Sequence, residues 1–356
     1  MAYPPDREIA GALRCSLCPH RCRIPPGGRG LCGVRENAGG SLKLPYAAYV
    51  TAAAWDPIEK KPLYHFRPGV WIFSLGFAGC NLRCPFCQNW QISQLRGRGR
   101  PQGRELQPEE ALVLAEAEPP SGAAGGNTPS ATAKQIAYTY SEPLIHFEYL
   151  KTCMELAHCR GIANVLVSNG CIEIEKAREI LPLVDAANID LKCFSEKTYR
   201  DILGGNLETV LEFIRAARGC GVCLELTTLV VPGLNDSDAE LDRCAEFIAG
   251  LEADGGRPLP WHLSAYHPGY RWEAPPTDPA ALLRAAARAR KSLPFVYPGN
   301  IPGEENDTAC PHCGAVLIRR RGYRVESRLS APAGNPAASP RPLPCPCCGR
   351  DTPVYW

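Results

Sequence analysis

The chain has 356 residues, 45% of them apolar, and a net charge of +2. It is long enough to bury a large core without staples, and its balance of charge does not point to nucleic acid or an anionic membrane as main partner. Glycine and proline, 33 and 35 residues, predict many loops but follow no collagen-like period. The 19 cysteines are the informative number. Their odd count, the lack of an apolar leader in MAYPPDREIA and the lack of an 18-residue apolar run argue for a reducing, cytoplasmic protein outside the membrane. Clustered cysteines in that setting signify metal.

In chain order, residues 1–69 open with a cysteine-rich segment, CSLCPHRCRIPPGGRGLCGVR. Cys15, Cys18, Cys22 and Cys32 follow a C-x2-C-x3-C-x9-C spacing in a stretch with too few apolar residues to fold unaided. A cation would supply the missing folding energy, either zinc or a second iron–sulfur cluster, and His20 is a candidate replacement ligand. Residues 70–300 alternate β-rich runs with helical patterns, the mark of βαβ units around a parallel sheet. Strands are predicted at 70–77, 136–140, 164–168, 187–191, 223–231, 261–266 and 295–297. Helices are predicted at 143–160, 173–184, 207–219, 238–251 and 278–292 from apolar residues at three- and four-residue spacing. Residues 118–134 and 331–344 lack apolar content and read as disordered insertions. Residues 301–356 carry Cys310-Pro-His-Cys313 and Cys345-Pro-Cys347-Cys348. Cys310, Cys313, Cys345 and Cys348 read as two knuckles of a zinc ribbon around a hairpin at 315–318 and 323–326, with an auxiliary cluster as the other option and Cys347 as the odd thiol. The run Arg319, Arg320, Arg321 and Arg324 reads as a solvated turn.

The strongest motif follows the first predicted strand: Cys80, Cys84 and Cys87 in GCNLRCPFCQNW, with Phe86 before the last thiol. Three thiolates can hold three corners of a 4Fe-4S cube and leave one iron open, whereas structural zinc recruits a fourth ligand. Polar residues recur where further strands end, at Ser141-Glu142-Pro143, Ser168-Asn169-Gly170, Asp190 with Lys192, Pro232-Gly233 and His267. Ligands of parallel α/β folds bind at those ends. Ser141 or Glu142 before Pro143 also suits a helix cap. His262 should face away from His267 and is structural.

The triplet, together with CPHRCRIPPGGRGLCGVREN, DPIEKKPLYHF, AYTYSEP, NIDLK, PGLND, WHLSAYHP and YPGN, resembles the radical SAM enzymes. More narrowly, the chain looks like the radical SAM member of the AmmeMemoRadiSam system, a subgroup similar to pyruvate formate-lyase activating enzymes. The resemblance implies a partial (β/α)6 TIM-type barrel, a 4Fe-4S cluster on Cys80, Cys84 and Cys87, and S-adenosylmethionine (SAM) cleaved to a 5′-deoxyadenosyl radical that abstracts hydrogen. It implies cofactor contacts from Phe86, Ser141, Glu142, Asn169, Asp190, Lys192 and His267, with Glu142 facing the methionine amino group. Implied partners are a ferredoxin or flavodoxin donor, MEMO-like and other companion proteins, and a protein or small-molecule substrate. Glycyl-radical activation is the alternative within the enzyme class. A non-catalytic metal-binding adaptor is the alternative outside it.

Overall fold

The computed structural model describes residues 10–95, 100–119, 134–253, 257–303, 305–330 and 340–356. Seven parallel strands are hydrogen-bonded in sequence order: β1 (Trp71–Phe77), β2 (Gln135–Thr139), β3 (Ala163–Ser168), β4 (Ala186–Asp190), β5 (Cys223–Val230), β6 (Trp261–Ala265) and β7 (Val296–Gly299). The helices α1 (Pro108–Glu116), α2 (Phe147–Cys159), α3 (Ile174–Ile180), α4 (Leu207–Gly219), α5 (Asp238–Ala253) and α6 (Pro279–Ala289) lie one in each crossover. The sheet does not close, because β7 and the short strand Arg104–Glu105 end its order. It is nevertheless curled, since inward residues at the strand starts, Ile72, Ala137, Val165, Ala186 and Cys223, share one apolar cluster. A partial α/β barrel is the result.

Local chemistry accounts for the helices. In α4, Leu207, Val210, Leu211, Ile214 and Ala217 form the buried stripe, and the Asn206 side chain accepts from Thr209 N at the start. Helix α6 begins with Pro279 at its first position and the Asp278 carboxylate capping Ala280 N and Ala281 N. All seven predicted strands and five predicted helices are present within a few residues.

The barrel sheet starts earlier than residue 70. Tyr49–Pro57 pairs antiparallel with β1 and adds an outer strand. Its run of alanines hides the alternation that marks a strand. Nor is 331–344 wholly a linker: Pro342–Pro344 pairs with Asp351–Tyr355, while 331–339 lie outside the described residues. The 118–134 insertion lies mostly outside them too. No helix among the described residues is long and apolar enough to cross a membrane.

Two cysteine-rich appendages occupy opposite ends of the barrel. The N-terminal one packs where strands finish, with His20 Nε2 donating to the Asn81 carbonyl at 2.7 Å and Glu173 N donating to the Leu17 carbonyl at 3.0 Å. The C-terminal one packs where strands begin, through Tyr355 N to His65 O (2.7 Å) and Arg67 N to Tyr355 O (2.8 Å). Arg320, read as part of a solvated run, is instead fully buried: its guanidinium donates to Tyr64 O, Asn306 O and Thr308 Oγ1. Arg321 and Arg324 are exposed and pair with Glu305, Asp307 and Glu326.

Candidate functional site

The loop that leaves β1 carries Cys80, Cys84 and Cys87. It is anchored at both sides by backbone bonds, Gly79 N to Ile92 O and Arg83 N to Leu203 O, each 2.7 Å. Gly79 has a φ of +85°, and a Cβ there would lie 2.5 Å from the Cys32 carbonyl oxygen, so only glycine fits. Leu82 N donates to Cys80 Sγ at 3.3 Å, Asn169 Nδ2 lies 3.6 Å from the same sulfur, and Cys87 Sγ is hydrogen-bonded to Ser93 Oγ at 3.2 Å. Phe86 is buried in the core behind the loop.

Burial pushes the Cys84 thiol up to about 11, against the pull of the nearby Lys192 cation, and pushes Cys80 well above the ordinary thiol range. Without metal these groups stay protonated. Bound to iron they would be thiolates, and backbone and cationic groups already face them. Three thiols on one short loop suit a cluster that leaves one iron open, whereas a structural zinc ion takes four protein ligands. The donor set therefore fits a 4Fe-4S cluster.

The following strand ends converge on this loop. Glu142 is buried after β2 and accepts from three donors: Leu144 N (2.9 Å) and Ser168 Oγ (2.8 Å) on Oε1, and Asn169 N (2.8 Å) on Oε2. Burial raises its carboxyl to about 7, although these donors oppose the shift. Capping of the turn Pro143–His146 is thus observed, and the same carboxylate ties β2 to β3. Ser141 Oγ donates back to the Phe77 carbonyl at 2.7 Å. Asn169 is engaged within the loop, donating to Asn81 Oδ1 (3.0 Å) and accepting from Cys171 N (2.8 Å).

After β4, Lys192 Nζ pairs with Asp190 at 2.8 Å. Burial alone would lower the lysine, but the Asp190 carboxylate, joined by Cys84 and Cys80 once they are thiolates, more than offsets it, so the ammonium stays charged. Asn235, in the PGLND turn, donates to the Lys192 carbonyl at 2.6 Å and locks this loop; the motif was visible in sequence, that residue's role was not. Gly233 has a φ of +74° with open space around it, so the turn needs it for backbone shape. His267 is exposed, its Nε2 3.1 Å from Asn300 O, and Gln88 of the cysteine loop donates to its carbonyl at 2.8 Å. His262 lies away from it, buried against Glu225 at 2.6 Å.

The C-terminal sulfurs form a compact tetrad. Cys310 Sγ to Cys348 Sγ is 3.8 Å, Cys313 Sγ to Cys345 Sγ is 3.7 Å, and all four lie within 4.8 Å. A tetrahedron with Zn–S bonds of about 2.3 Å has edges of about 3.8 Å. Cys347 stays out of the group and is exposed. Of the other unassigned thiols, Cys153, Cys171, Cys193, Cys223 and Cys244 are buried and Cys159 and Cys220 are exposed.

Comparison with known proteins agrees with this geometry. Residues 75–245 match the Radical SAM superfamily. The chain is 39% identical over 311 residues to the uncharacterized protein MJ0808 of Methanocaldococcus jannaschii, covering 86% of this chain and 87% of that protein. It is 27% identical over 188 residues to a pyruvate formate-lyase-activating enzyme of Clostridium pasteurianum, covering 52% of this chain and 73% of that one. Against pyruvate formate-lyase 1-activating enzyme of Escherichia coli K12 the identity is 24% over 212 residues, 58% of this chain and 79% of the other. A solved domain of pyruvate-formate lyase-activating enzyme from Bacteroides vulgatus overlays with a TM-score of 0.40 at 19% identity, covering 46% of this chain and 98% of that one. The matched region begins within β1 and takes in the cysteine loop and the next four strand ends, and the chain belongs to the radical SAM superfamily of enzymes.

Proposed function

We propose that this enzyme uses Cys80, Cys84 and Cys87 to hold the 4Fe-4S cluster that its family implies, and reductively cleaves SAM to take hydrogen from a substrate at the barrel mouth. The observation that supports this reading is that the three thiols of one strand-end loop share their rim of the barrel with Glu142, Asn169 and the Asp190–Lys192 pair. A cluster bound there supplies one electron to the sulfonium bond, which breaks to methionine and a 5′-deoxyadenosyl radical. The chain's own residues do the positioning. Oε2 of Glu142 has accepting capacity left for the methionine ammonium, and Lys192 offers a cation to its carboxylate. Asp190 faces the opening, suited to ribose hydroxyls, as does His267 to the adenosyl group. Asn169 and Ser141 act by bracing the loop, and Phe86 by filling the space behind it.

The outer cysteine sets belong to the same reading as metal sites, with zinc in the C-terminal tetrad. The electron comes from a ferredoxin or flavodoxin in the cytoplasm. The substrate is presented with MEMO-like or other companion proteins, as in the AmmeMemoRadiSam grouping. The likeness to activating enzymes supports a second reading, in which the radical passes to a glycine of a partner enzyme. A glycyl doublet by EPR on such a partner would decide for it.

The test is anaerobic reconstitution with dithionite and SAM. Wild type should release 5′-deoxyadenosine and methionine, and Cys84→Ala should release neither. No product from fully loaded wild type, with and without companions, would overturn the enzyme reading, and zinc alone at all three sites would favour the adaptor.

A further inference from the structure

The segments DPIEKKPLYHF and AYTYSEP, far apart in the chain, meet on the inner face of the barrel. Tyr140 follows β2 and stands two residues before Glu142. Its hydroxyl donates to Asp56 Oδ2, and the same carboxylate accepts from Lys60 Nζ at 2.7 Å and Lys61 Nζ at 2.6 Å. Asp56 and Lys61 are buried, and the Lys61 ammonium lies 5.0 Å from the centre of the Tyr140 ring. Burial works against the Asp56 charge, but the two lysines and the tyrosine outweigh it and hold the carboxyl well below the usual carboxylate range. The hydroxyl therefore rests on a carboxylate anion, which makes its bond stronger than one between neutral groups.

The backbone turns sharply at Tyr140. Its φ is +68°, and Ser141 N donates to Thr139 O at 2.9 Å around it, the rarer and more strained form of γ-turn. A residue with a Cβ keeps such a conformation only where its surroundings over-determine it. Three contacts do so here. The Tyr140 carbonyl accepts from Asn89 Nδ2 of the cysteine loop at 2.6 Å, the ring lies over Gly76, and the hydroxyl is held by Asp56. A Cβ at position 76 would come within 2.8 Å of Tyr140 Cδ2 and 3.1 Å of Ala52 Cβ, so glycine leaves the ring its path along the sheet. The turn then delivers Glu142 to Ser168 and Asn169 beyond β3.

The far end of this strut is fixed. Asp56 pairs with Ile72 at the start of β1, whereas Tyr140 lies beyond the end of β2, so the tyrosine side chain runs back along the sheet. Lys61 belongs to a buried segment packed into the strand-start end of the barrel, where Ile58, Leu63 and Phe66 join the inward apolar cluster. Asn188 Nδ2 donates to Pro62 O at 2.7 Å, and Tyr64 N and His65 N donate to Glu225 at 2.9 and 2.7 Å. The anchor is thus tied to β4 and β5 as well as to β1.

We infer that Tyr140, anchored through Asp56 and Lys61, is a positioning residue that sets Glu142 for the methionine end of SAM. This deepens the radical SAM reading and rests on it. The part of Tyr140 is to hold the turn rather than to touch the reacting atoms. Through Asn89 the same turn is joined to the cysteine loop, so the Glu142 carboxylate and the three thiols keep one fixed relation. A phenylalanine at 140 would fill the same space and lose only the anchor, while Asp56 would keep both lysines.

Equilibrium SAM binding to anaerobically reconstituted full-length protein tests this, together with hydrogen exchange measured without SAM. Tyr140→Phe should keep the wild-type iron content and bind SAM roughly tenfold more weakly. Its KM for SAM should rise by the same factor while kcat at saturating SAM stays within about twofold. Amide exchange should quicken at Leu144 and Asn169, whose N–H groups donate to Glu142, and stay unchanged in α4, α5 and α6. Tyr138→Phe loses a buried hydroxyl bond of 3.0 Å to Asn164 on the helix-facing side of the same strand, and should change neither readout. Asp56→Asn/Lys61→Met removes the anchor as a pair and should weaken SAM binding as much, with nothing further lost when Tyr140→Phe is added. Wild-type affinity and exchange in Tyr140→Phe would overturn the proposal, as would equal losses in Tyr138→Phe or losses that add in the triple variant. A wild type that binds no SAM would sink the radical reading, and exchange at Leu144 and Asn169 would still decide whether Tyr140 positions Glu142.

Discussion

Glu142 shows how one side chain serves local and distant structure together. It caps the turn after β2, bonds to Ser168 and Asn169 beyond β3, and is still placed at the barrel mouth. In Glu142→Gln the amide must direct a donor at one of these groups, so stability should fall by about 1–2 kcal/mol in denaturant titration. SAM binding should weaken by roughly tenfold, read from the cofactor-induced change in the cluster's EPR signal. Arg320 is the complementary case, structural and remote. Arg320→Met would strand Tyr64 O and Asn306 O, remove a donor from Thr308 Oγ1 and leave the nearby buried Glu59 without its cation. Removing one partner of a buried pair costs about 3 kcal/mol or more. Denaturation should show that loss, with deoxyadenosine formed per folded molecule unchanged. Sequence marked Glu142 through its place after a strand; it read Arg320 as solvent-facing, because a run of arginines carries no sign of which member points inward.

At the level of elements, the C-terminal ribbon has a small apolar cluster of its own, including Leu317, Ile318, Leu343 and Val354, with Cys310 and Cys345 among it. So small a core gains folding energy from a bound ion. Cys348→Ser should lose the zinc and lower the melting temperature, while Cys347→Ser should keep both, as measured by metal analysis and calorimetry. The spacing of Cys310, Cys313, Cys345 and Cys348 suggested a ribbon of two C-x2-C knuckles but left open a site shared with the N-terminal cysteines; the structure brings these four together. The strand Tyr49–Pro57 was not legible, because a stretch of alanines is accepted in a sheet only when a neighbour's edge is there to receive it.

Across the molecule, the two ends of the barrel do different work. At the end where strands begin, His65 joins the ribbon to the barrel: its Nδ1 donates to Pro353 O at 3.2 Å and its Nε2 accepts from Tyr297 OH at 2.8 Å. Burial first, with the Arg320 charge adding to it and Glu225 opposing, holds this imidazole neutral and lowers it to about 4. Its stabilising share is therefore complete above the unfolded value of about 6.5 and is lost as pH falls toward 4, with a slope of at most about 1.4 kcal/mol per pH unit. The raised carboxyls of Glu59 and Glu142 act oppositely as pH rises from about 4.5 to about 7, so the readout is a difference. The stability loss between pH 6.5 and 4 should be smaller in His65→Asn than in wild type. The order of βα units and the position of the triplet were determined by the sequence itself, because periodicity and spacing are local properties of the chain; whether the outer cysteine sets share a site was not. Only the tertiary structure decided that the N-terminal thiols lie against the radical loop while the C-terminal ones lie at the far end. The contacts that decide it, Cys32 with Gly79 and Tyr355 with His65, join residues remote in sequence whose meeting depends on how the curled sheet presents its two rims.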